Sequence, residues 1–241
     1  INTVSNKDDT LMDFAVGKAG DLPKWINSEL SFVYGVDISR DNIENKKDGA
    51  CARFLNAALR NQSIPEMIFS TGDSSKNIRS GDALLDDKYR LINDAVFGKG
   101  SRDKMKMGDN LFKNYGRGEK GFDITSCQFA IHYFFENKYT LENFISNVVE
   151  CTKVGGYFIG TSYDGQLLFN KLTNYKKGDG KVLRDDSGKI MWEITKQYDR
   201  DEFNNDDCVA FLKNMQALEQ KLKEDAIENS KDWLNKNKLT T

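Results

Sequence analysis

Short apolar runs bounded by turn residues punctuate the chain up to residue 163: LMDFAV (11–16), SFVYGVDI (31–38), EMIFST (66–71), FDITSCQF (122–129) and GGYFIGTSY (155–163). Runs of this length, rich in β-branched and aromatic residues, predict strands buried on both faces, as in a parallel sheet. Helical patterns lie between them. The stretch 38–61 predicts a helix, whole or in two pieces. In 139–156 the residues Leu141, Phe144, Ile145, Val148 and Val149 share one face, with Thr140 as N-cap and Gly155 as the stop. Alternating β and α elements imply a doubly wound α/β sheet.

The stretch 72–121 is too long for an ordinary connection and reads as an insertion, with a helix near 82–98 and a basic loop over 99–120. Residues 181–198 predict a β-hairpin turning at Asp186-Ser187-Gly188. Over 209–237, Phe211, Met215, Leu218, Leu222, Ala226 and Trp233 follow helical spacing, an apolar stripe that predicts packing rather than chemistry. Residues 1–241 read as a single domain. The absence of an initiator Met suggests a fragment of a larger protein.

Composition narrows the field. At 39 % hydrophobic and 30 % charged, the chain reads as soluble and globular. No apolar run approaches the roughly 18 residues that span a membrane, and the first residues do not resemble a signal peptide. Cys51, Cys127, Cys151 and Cys208 form no C-x-x-C pair, and with one histidine a metal site is not expected. Reduced thiols in a cytosol-like compartment are the simpler reading. A net charge of −2 argues against non-specific coating of nucleic acid. Residues 99–120 nevertheless hold seven Lys/Arg against three Asp/Glu, which suits either a solvated loop or one that faces phosphates.

Candidate chemistry gathers where the strands end. The first strand runs into DFAVGKAGDLPKW (13–25), in which Gly17 and Gly20 permit a tight turn and Pro23 suits the first turn of a helix. Such a unit presents backbone N–H groups to a ligand. It matches neither the dinucleotide fingerprint nor the phosphate loop of NTPases. Asp37 ends the second strand, where a carboxylate accepts hydrogen bonds from ribose hydroxyls. Asp73 and Ser74 lie just after the third strand, placed either to read an adenine edge or, for Asp73, to cap a helix. An adenosine ligand without a phosphate loop fits S-adenosylmethionine, with Asp13 and Asp21 available for its ammonium. The fourth strand ends in Gln128, Phe129, His132, Tyr133, Phe134 and Phe135, a mixture suited to a flat polar ring. His132 alone would equally suit a buried, satisfied histidine.

The motifs LMDFAVGKAGDLPKW, VYGVDIS, TGDSS, FDITSCQFAIHYFFEN and ECTKVGGYFIGTSYDG together resemble the mRNA cap guanine-N7 methyltransferases. The likeness is strongest to the methyltransferase domain of large DNA virus (mimivirus-like) mRNA-capping enzymes. The resemblance implies a Rossmann-like class I S-adenosylmethionine-dependent methyltransferase that uses no metal. Asp13, Gly17 and Asp21 would surround the methionine part and ribose, Asp37 the ribose, Asp73 and Ser74 the adenine, and Gln128 and Tyr133 the donor's border. Phe129, His132 and Tyr133 would form the guanine pocket, and Lys18 and Arg53 would reach the cap triphosphate. No catalytic acid or base is expected, since His132 and Tyr133 would act by positioning.

The implied partners are 5′-capped RNA and the triphosphatase and guanylyltransferase domains of a capping enzyme, in the cytoplasm, a viral factory or the virion. Two other readings stay open: a non-catalytic scaffold or stimulatory subunit, and a methyltransferase acting on another substrate. The chain departs from the family pattern at several places. Ala19 stands where glycine is usual, which suits a negative φ. Ser162-Tyr163-Asp164-Gly165 replaces the usual Thr-Pro-Asn-Ser. The family's last sheet strands are not recognisable after Cys208.

Overall fold

Among the described residues, the main sheet is built from four strands that are almost wholly buried and one that is not. A computed structural model describes residues 1–60 and 63–199, so the stretch 209–237 and Cys208 lie outside the described residues. The chain divides into two units, Ile1–Ser162 and a second that begins at Tyr163. The first unit runs β1 (Thr10–Asp13), α1 (Leu22–Asn27), β2 (Phe32–Asp37), α2 (Arg40–Glu44), α3 (Ala50–Arg60), β3 (Glu66–Thr71), α4 (Asp87–Val96), α5 (Lys104–Lys113) and β4 (Phe122–Gln128). A 3-10 helix (Ile131–Glu136), α6 (Lys138–Cys151) and β5 (Thr152–Thr161) complete it.

All five strands are parallel, in the order β3-β2-β1-β4-β5. The order reverses between β1 and β4, which creates a crevice at their carboxyl ends. This is the predicted doubly wound α/β sheet. On one face Leu11, Val33, Met67 and Ile124 pack with Trp25 of α1, Ile43 of α2 and Ala50 of α3. On the other an aromatic group forms. Phe32 and Tyr34 stack on Phe122, and Phe97 meets Tyr34 and Phe122 edge-on. Each fully buried side chain of this size contributes about 1.5–3 kcal/mol.

Several local expectations change. The 38–61 stretch forms two helices, broken between Glu44 and Ala50. The basic loop contains α5, kinked at Gly108 with φ +72°. Its cations are partly matched, Lys104 with Asp109 and Lys113 with Glu66. Helix α6 is capped by Asn137, not Thr140. Asn137 accepts from the Thr140 N–H at 3.0 Å, while Thr140 sits at the third position and accepts from the Asn137 N–H. The buried face of α6 is Leu141, Phe144, Asn147 and Cys151, whereas Val149 faces solvent.

Gly155 does not stop the helix. It lies within β5 with φ +84°, where the register against β4 shifts between Phe122 and Ile124. A side chain on the next residue, Gly156, would meet the Asp123 carbonyl at 2.6 Å. The two glycines therefore make the irregularity possible. Nor is β5 buried on both faces, since Val154, Tyr157 and Phe158 are exposed. It is an edge strand that pairs with β4 among the described residues.

The second unit holds α7 (Gly165–Leu172), capped by the Asp164 side chain, and the antiparallel hairpin of β6 (Gly180–Arg184) and β7 (Ile190–Thr195). Its turn falls as expected. Gly188 takes φ +82°, and the Asp185 carboxylate accepts from the N–H groups of Ser187 and Lys189.

Candidate functional site

A cleft of about 630 Å³ opens at the carboxyl ends of β1 to β4. That volume lies within the usual range for small-molecule sites, about 300–1,000 Å³. Each strand delivers its own end to the lining: Phe14 and Ala15 after β1, Asp37 to Ser39 from β2 with Asn42 of α2, Gly72 to Ser75 from β3, and Gln128 to Ala130 from β4. Tyr133, Phe134 and Glu136 of the 3-10 helix close one side.

Asp37 organises the wall. Its carboxylate accepts from the Gly17 N–H at 2.8 Å, the Ser39 N–H at 2.9 Å and the Asn42 side-chain amide at 2.9 Å. A carboxylate offers about four acceptor positions, so one remains for a hydroxyl in the cleft. Ser39 and Asn42 are site residues that the strand-end pattern did not single out, although Ser39 is visible as the N-cap of α2.

The glycine turn differs from its expected form. Gly17 is left-handed, with φ +54°, and a Cβ there would meet nothing within 4 Å, so the backbone is open to a ligand. The second left-handed position is Ala19, φ +55°, rather than Gly20. The negative φ that an alanine would prefer is absent, and a non-glycine residue there costs about 1–2 kcal/mol. Ala19 is buried, and its methyl joins the core with Val16, Leu22 and Trp25. Ala19→Gly is therefore expected to stabilise the fold by up to about 1 kcal/mol, less whatever the lost methyl contributes. Thermal unfolding measures this, and a clear loss of Tm would mean that the methyl outweighs the strain.

Asp13 is buried at the end of β1, next to the lining residue Phe14, and does not itself line the cleft. Burial raises its carboxyl to about 7. The hydrogen bond from the Ala15 N–H opposes the rise, the charges of Asp21 and Asp37 add to it, and a Ser126 hydrogen bond opposes it. Asp21 precedes α1 and pairs with Lys24 at 2.6 Å, without capping the helix through its side chain. Three carboxylates thus gather around one glycine turn, an arrangement that favours a cationic ligand.

Asp73 makes a local turn rather than a helix cap. It accepts from the Ser75 N–H and hydroxyl at 3.0 and 2.6 Å. The Ser74 hydroxyl donates to the Phe14 carbonyl at 2.6 Å and is buried, so it ties two walls together. Gln128 is held in place, with its amide group donating to Ser126 Oγ and its oxygen accepting from Thr161 Oγ1 at 3.0 Å.

Aromatic groups gather at the mouth. Phe129 is exposed and left-handed, φ +55°, its N–H held by the Thr161 carbonyl at 3.0 Å. A bulky residue in that region is strained, and such strain concentrates at functional positions. Tyr133 lines the cleft and is 71 % exposed. His132 is also exposed, not a buried core histidine, and its ring lies 4.2 Å from that of Tyr133. Below them Phe134 stacks on Phe144 at 4.0 Å.

Of the expected residues, Asp37, Asp73, Ser74, Gln128, Phe129 and Tyr133 line the cleft. Gly17 adjoins it through Asp37, whereas Asp13, Asp21, His132, Lys18 and Arg53 do not line it. Lys18 pairs with Asp48 at 2.9 Å and Asp41 at 3.3 Å, and Arg53 donates to the Asp48 carbonyl. Both cations therefore converge on the loop around Asp48. Cys127 and Cys151 are buried thiols, each pushed up to about 12 by burial, which leaves neither nucleophilic at neutral pH.

Comparison with known proteins adds to this geometry. Residues 2–206 match the mRNA (guanine-N(7))-methyltransferase domain family. A "Probable mRNA-capping enzyme" of Acanthamoeba polyphaga mimivirus is 31 % identical over 82 % of this chain and 16 % of its own length. The mRNA cap guanine-N(7) methyltransferase 1 of Arabidopsis thaliana is 26 % identical over 71 % of this chain and 38 % of its own. A solved S-adenosylmethionine-dependent methyltransferase from Clostridium acetobutylicum superposes with a TM-score of 0.43 at 16 % identity, over 77 % of this chain and 52 % of its own. The chain thus spans well under half the length of these two curated relatives. With a match over most of its length, the chain belongs to the mRNA (guanine-N(7))-methyltransferase domain family.

Proposed function

We propose that this chain transfers a methyl group from S-adenosylmethionine to guanine N7 of the RNA 5′ cap. The observation that carries the reading is one cleft lined by two kinds of group: the Asp37 and Asp73 carboxylates, the first of them holding the glycine turn beside the cleft, and the exposed ring of Tyr133 with that of a strained Phe129. Asp37 would hold the donor's ribose, the Asp73–Ser74 turn its adenine, and Asp13 and Asp21 its cationic end. Gln128 and Tyr133 would border the transferring methyl, and Phe129, His132 and Tyr133 would receive the guanine. Lys18 and Arg53 would turn to the triphosphate at the expense of their contacts with the Asp48 loop.

When bound, S-adenosylmethionine supplies a methyl group already activated on sulfonium sulfur. Guanine N7 presents a lone pair and no proton, so no side chain needs to act as a base. What the protein contributes is alignment and exclusion of water, worth up to about 7–11 kcal/mol when alignment is ideal. Ring stacking on the cap purine is worth about 1–3 kcal/mol. Tyr133→Ala and His132→Ala are accordingly expected to lower kcat/KM for transfer about 10- to 100-fold. Their Tm should stay near that of the parent, because both side chains are exposed. Loss of Tm in step with loss of transfer would contradict the assignment.

The mimivirus relative, a probable mRNA-capping enzyme of which this chain covers 16 %, supports a setting within a larger capping enzyme; triphosphatase and guanylyltransferase domains beside it, and a viral factory or the virion as its place, belong to the same proposal. Calorimetric titration with unmethylated GpppG and with the guanine-free ApppA, in the presence of S-adenosylhomocysteine, tests the guanine assignment. Selective binding of GpppG is expected. Product binding with equal affinity for both dinucleotides would point to another methyl acceptor, and binding of neither product nor cap to a scaffold.

A further inference from the structure

The buried face of α6 carries an asparagine where helical spacing calls for an apolar residue. Asn147 is fully buried, between Phe144 and Cys151 on that face. Burying an amide is costly unless its groups are paired. The hydrogen bonds of this side chain all go to one segment of the chain. Its amide nitrogen donates to the Ser74 carbonyl at 2.9 Å and the Lys76 carbonyl at 2.7 Å, and its oxygen accepts from the Ile78 N–H at 2.9 Å. Both donor positions and one acceptor position are used.

The segment it holds, residues 72–78, lies outside any helix or long strand, so its backbone groups need partners from elsewhere. Gly72 to Ser75 of that segment form one wall of the cleft. A second contact fixes the same segment from the opposite side, where the Ser74 hydroxyl meets the Phe14 carbonyl. Earlier on α6, Thr140 and Phe144 serve the aromatic wall. The Thr140 hydroxyl donates to the Phe134 carbonyl at 2.9 Å, and Phe144 stacks on Phe134. One helix therefore braces both ends of the cleft.

We propose that Asn147 is a positioning residue for methyl-donor binding: it touches no ligand, and its amide sets the shape of the Asp73–Ser74 wall. The proposal rests on the reading of this cleft as the donor site. It makes Asn147 a determinant of donor affinity rather than of the chemical step.

The test uses Asn147→Asp and its dependence on pH. As a carboxylate, the new side chain can still accept from the Ile78 N–H but presents a negative charge to two carbonyl oxygens. Protonation restores one donor. The charged residues on the two segments it joins include Asp73 and Lys76 on the held segment, which pair with each other, Arg79 just after it, and Glu150 on α6, whose carboxylate accepts from the Asn77 amide. Donor affinity is measured by calorimetry for both proteins from pH 6 to pH 8, and their ratio removes any pH dependence that the parent shows. Asn147→Asp is expected to bind about tenfold more weakly than the parent at pH 8. The gap should narrow as pH falls, and KM for the donor should rise with little change in kcat.

A ratio near one at every pH, or a fall in kcat with an unchanged KM, would overturn the proposal. If Asn147→Asp does not fold at pH 8, Asn147→Ser takes its place, with hydrogen exchange monitored over residues 72–78 and over β1. Faster exchange confined to 72–78 with weaker donor binding is then expected. Uniformly faster exchange with unchanged donor affinity would overturn the proposal. Failure of the parent itself to bind the donor would instead sink the reading of the cleft, and the proposal with it.

Discussion

Asp37→Ala is expected to weaken binding of S-adenosylmethionine about 100-fold, the largest loss from any single side chain in the cleft. Two effects combine. The ribose loses an acceptor of charged character, worth about 1.5–3 kcal/mol. The glycine turn also loses its tether, because the Gly17 N–H, the Ser39 N–H and the Asn42 amide all converge on this carboxylate. Asp37→Asn separates the effects only in part, since its amide group must face at least one of those donors. Calorimetry measures the change, and Tm is recorded in parallel because the removed bonds also hold β2 to the turn. An affinity within threefold of the parent would refute the ribose assignment.

Asp13→Asn is expected to stabilise the protein at pH 8 while impairing donor binding. The Asp13 carboxyl sits near 7 when folded, against an ordinary value of 3.8. A raised carboxyl means that the folded state holds the proton more tightly. Its contribution to stability is therefore complete below about pH 4 and is lost as pH rises through 7. At pH 8 the buried charge costs on the order of 4 kcal/mol. An amide keeps an acceptor for the Ala15 N–H and removes that cost, so Tm should rise by several degrees at pH 8 and much less at pH 5. In the parent, a bound cation would favour the carboxylate, so donor affinity should climb about tenfold between pH 6 and pH 8. Asp13→Asn should flatten that profile at a lower affinity. A parent profile that is already flat would remove Asp13 from the account of donor binding.

Strands β1 to β4 were legible because each is a short apolar run, and burial on both faces leaves no polar alternation to confuse the reading. The hairpin was legible from its turn residues. Features set by distant parts of the chain were not. Nothing near Gly155 says that β5 will lie at an edge or need an irregular register against β4. Left-handed Ala19 looks local, yet its φ is set by packing into the core beside Val16 and Trp25. Asp37 was found by its position at a strand end, but its three partners were not, and Asn147 joins residues about 70 positions away in sequence. Polar side chains that complete a distant segment's backbone carry no signature in their own neighbourhood.

Transfer of labelled methyl from S-adenosylmethionine to unmethylated capped RNA, with uncapped RNA as control and the modified atom mapped, tests the central claim most directly. Label on guanine N7 of capped RNA alone is the expected result. Label on any other atom, equal labelling of uncapped RNA, or no transfer despite tight donor binding would contradict it.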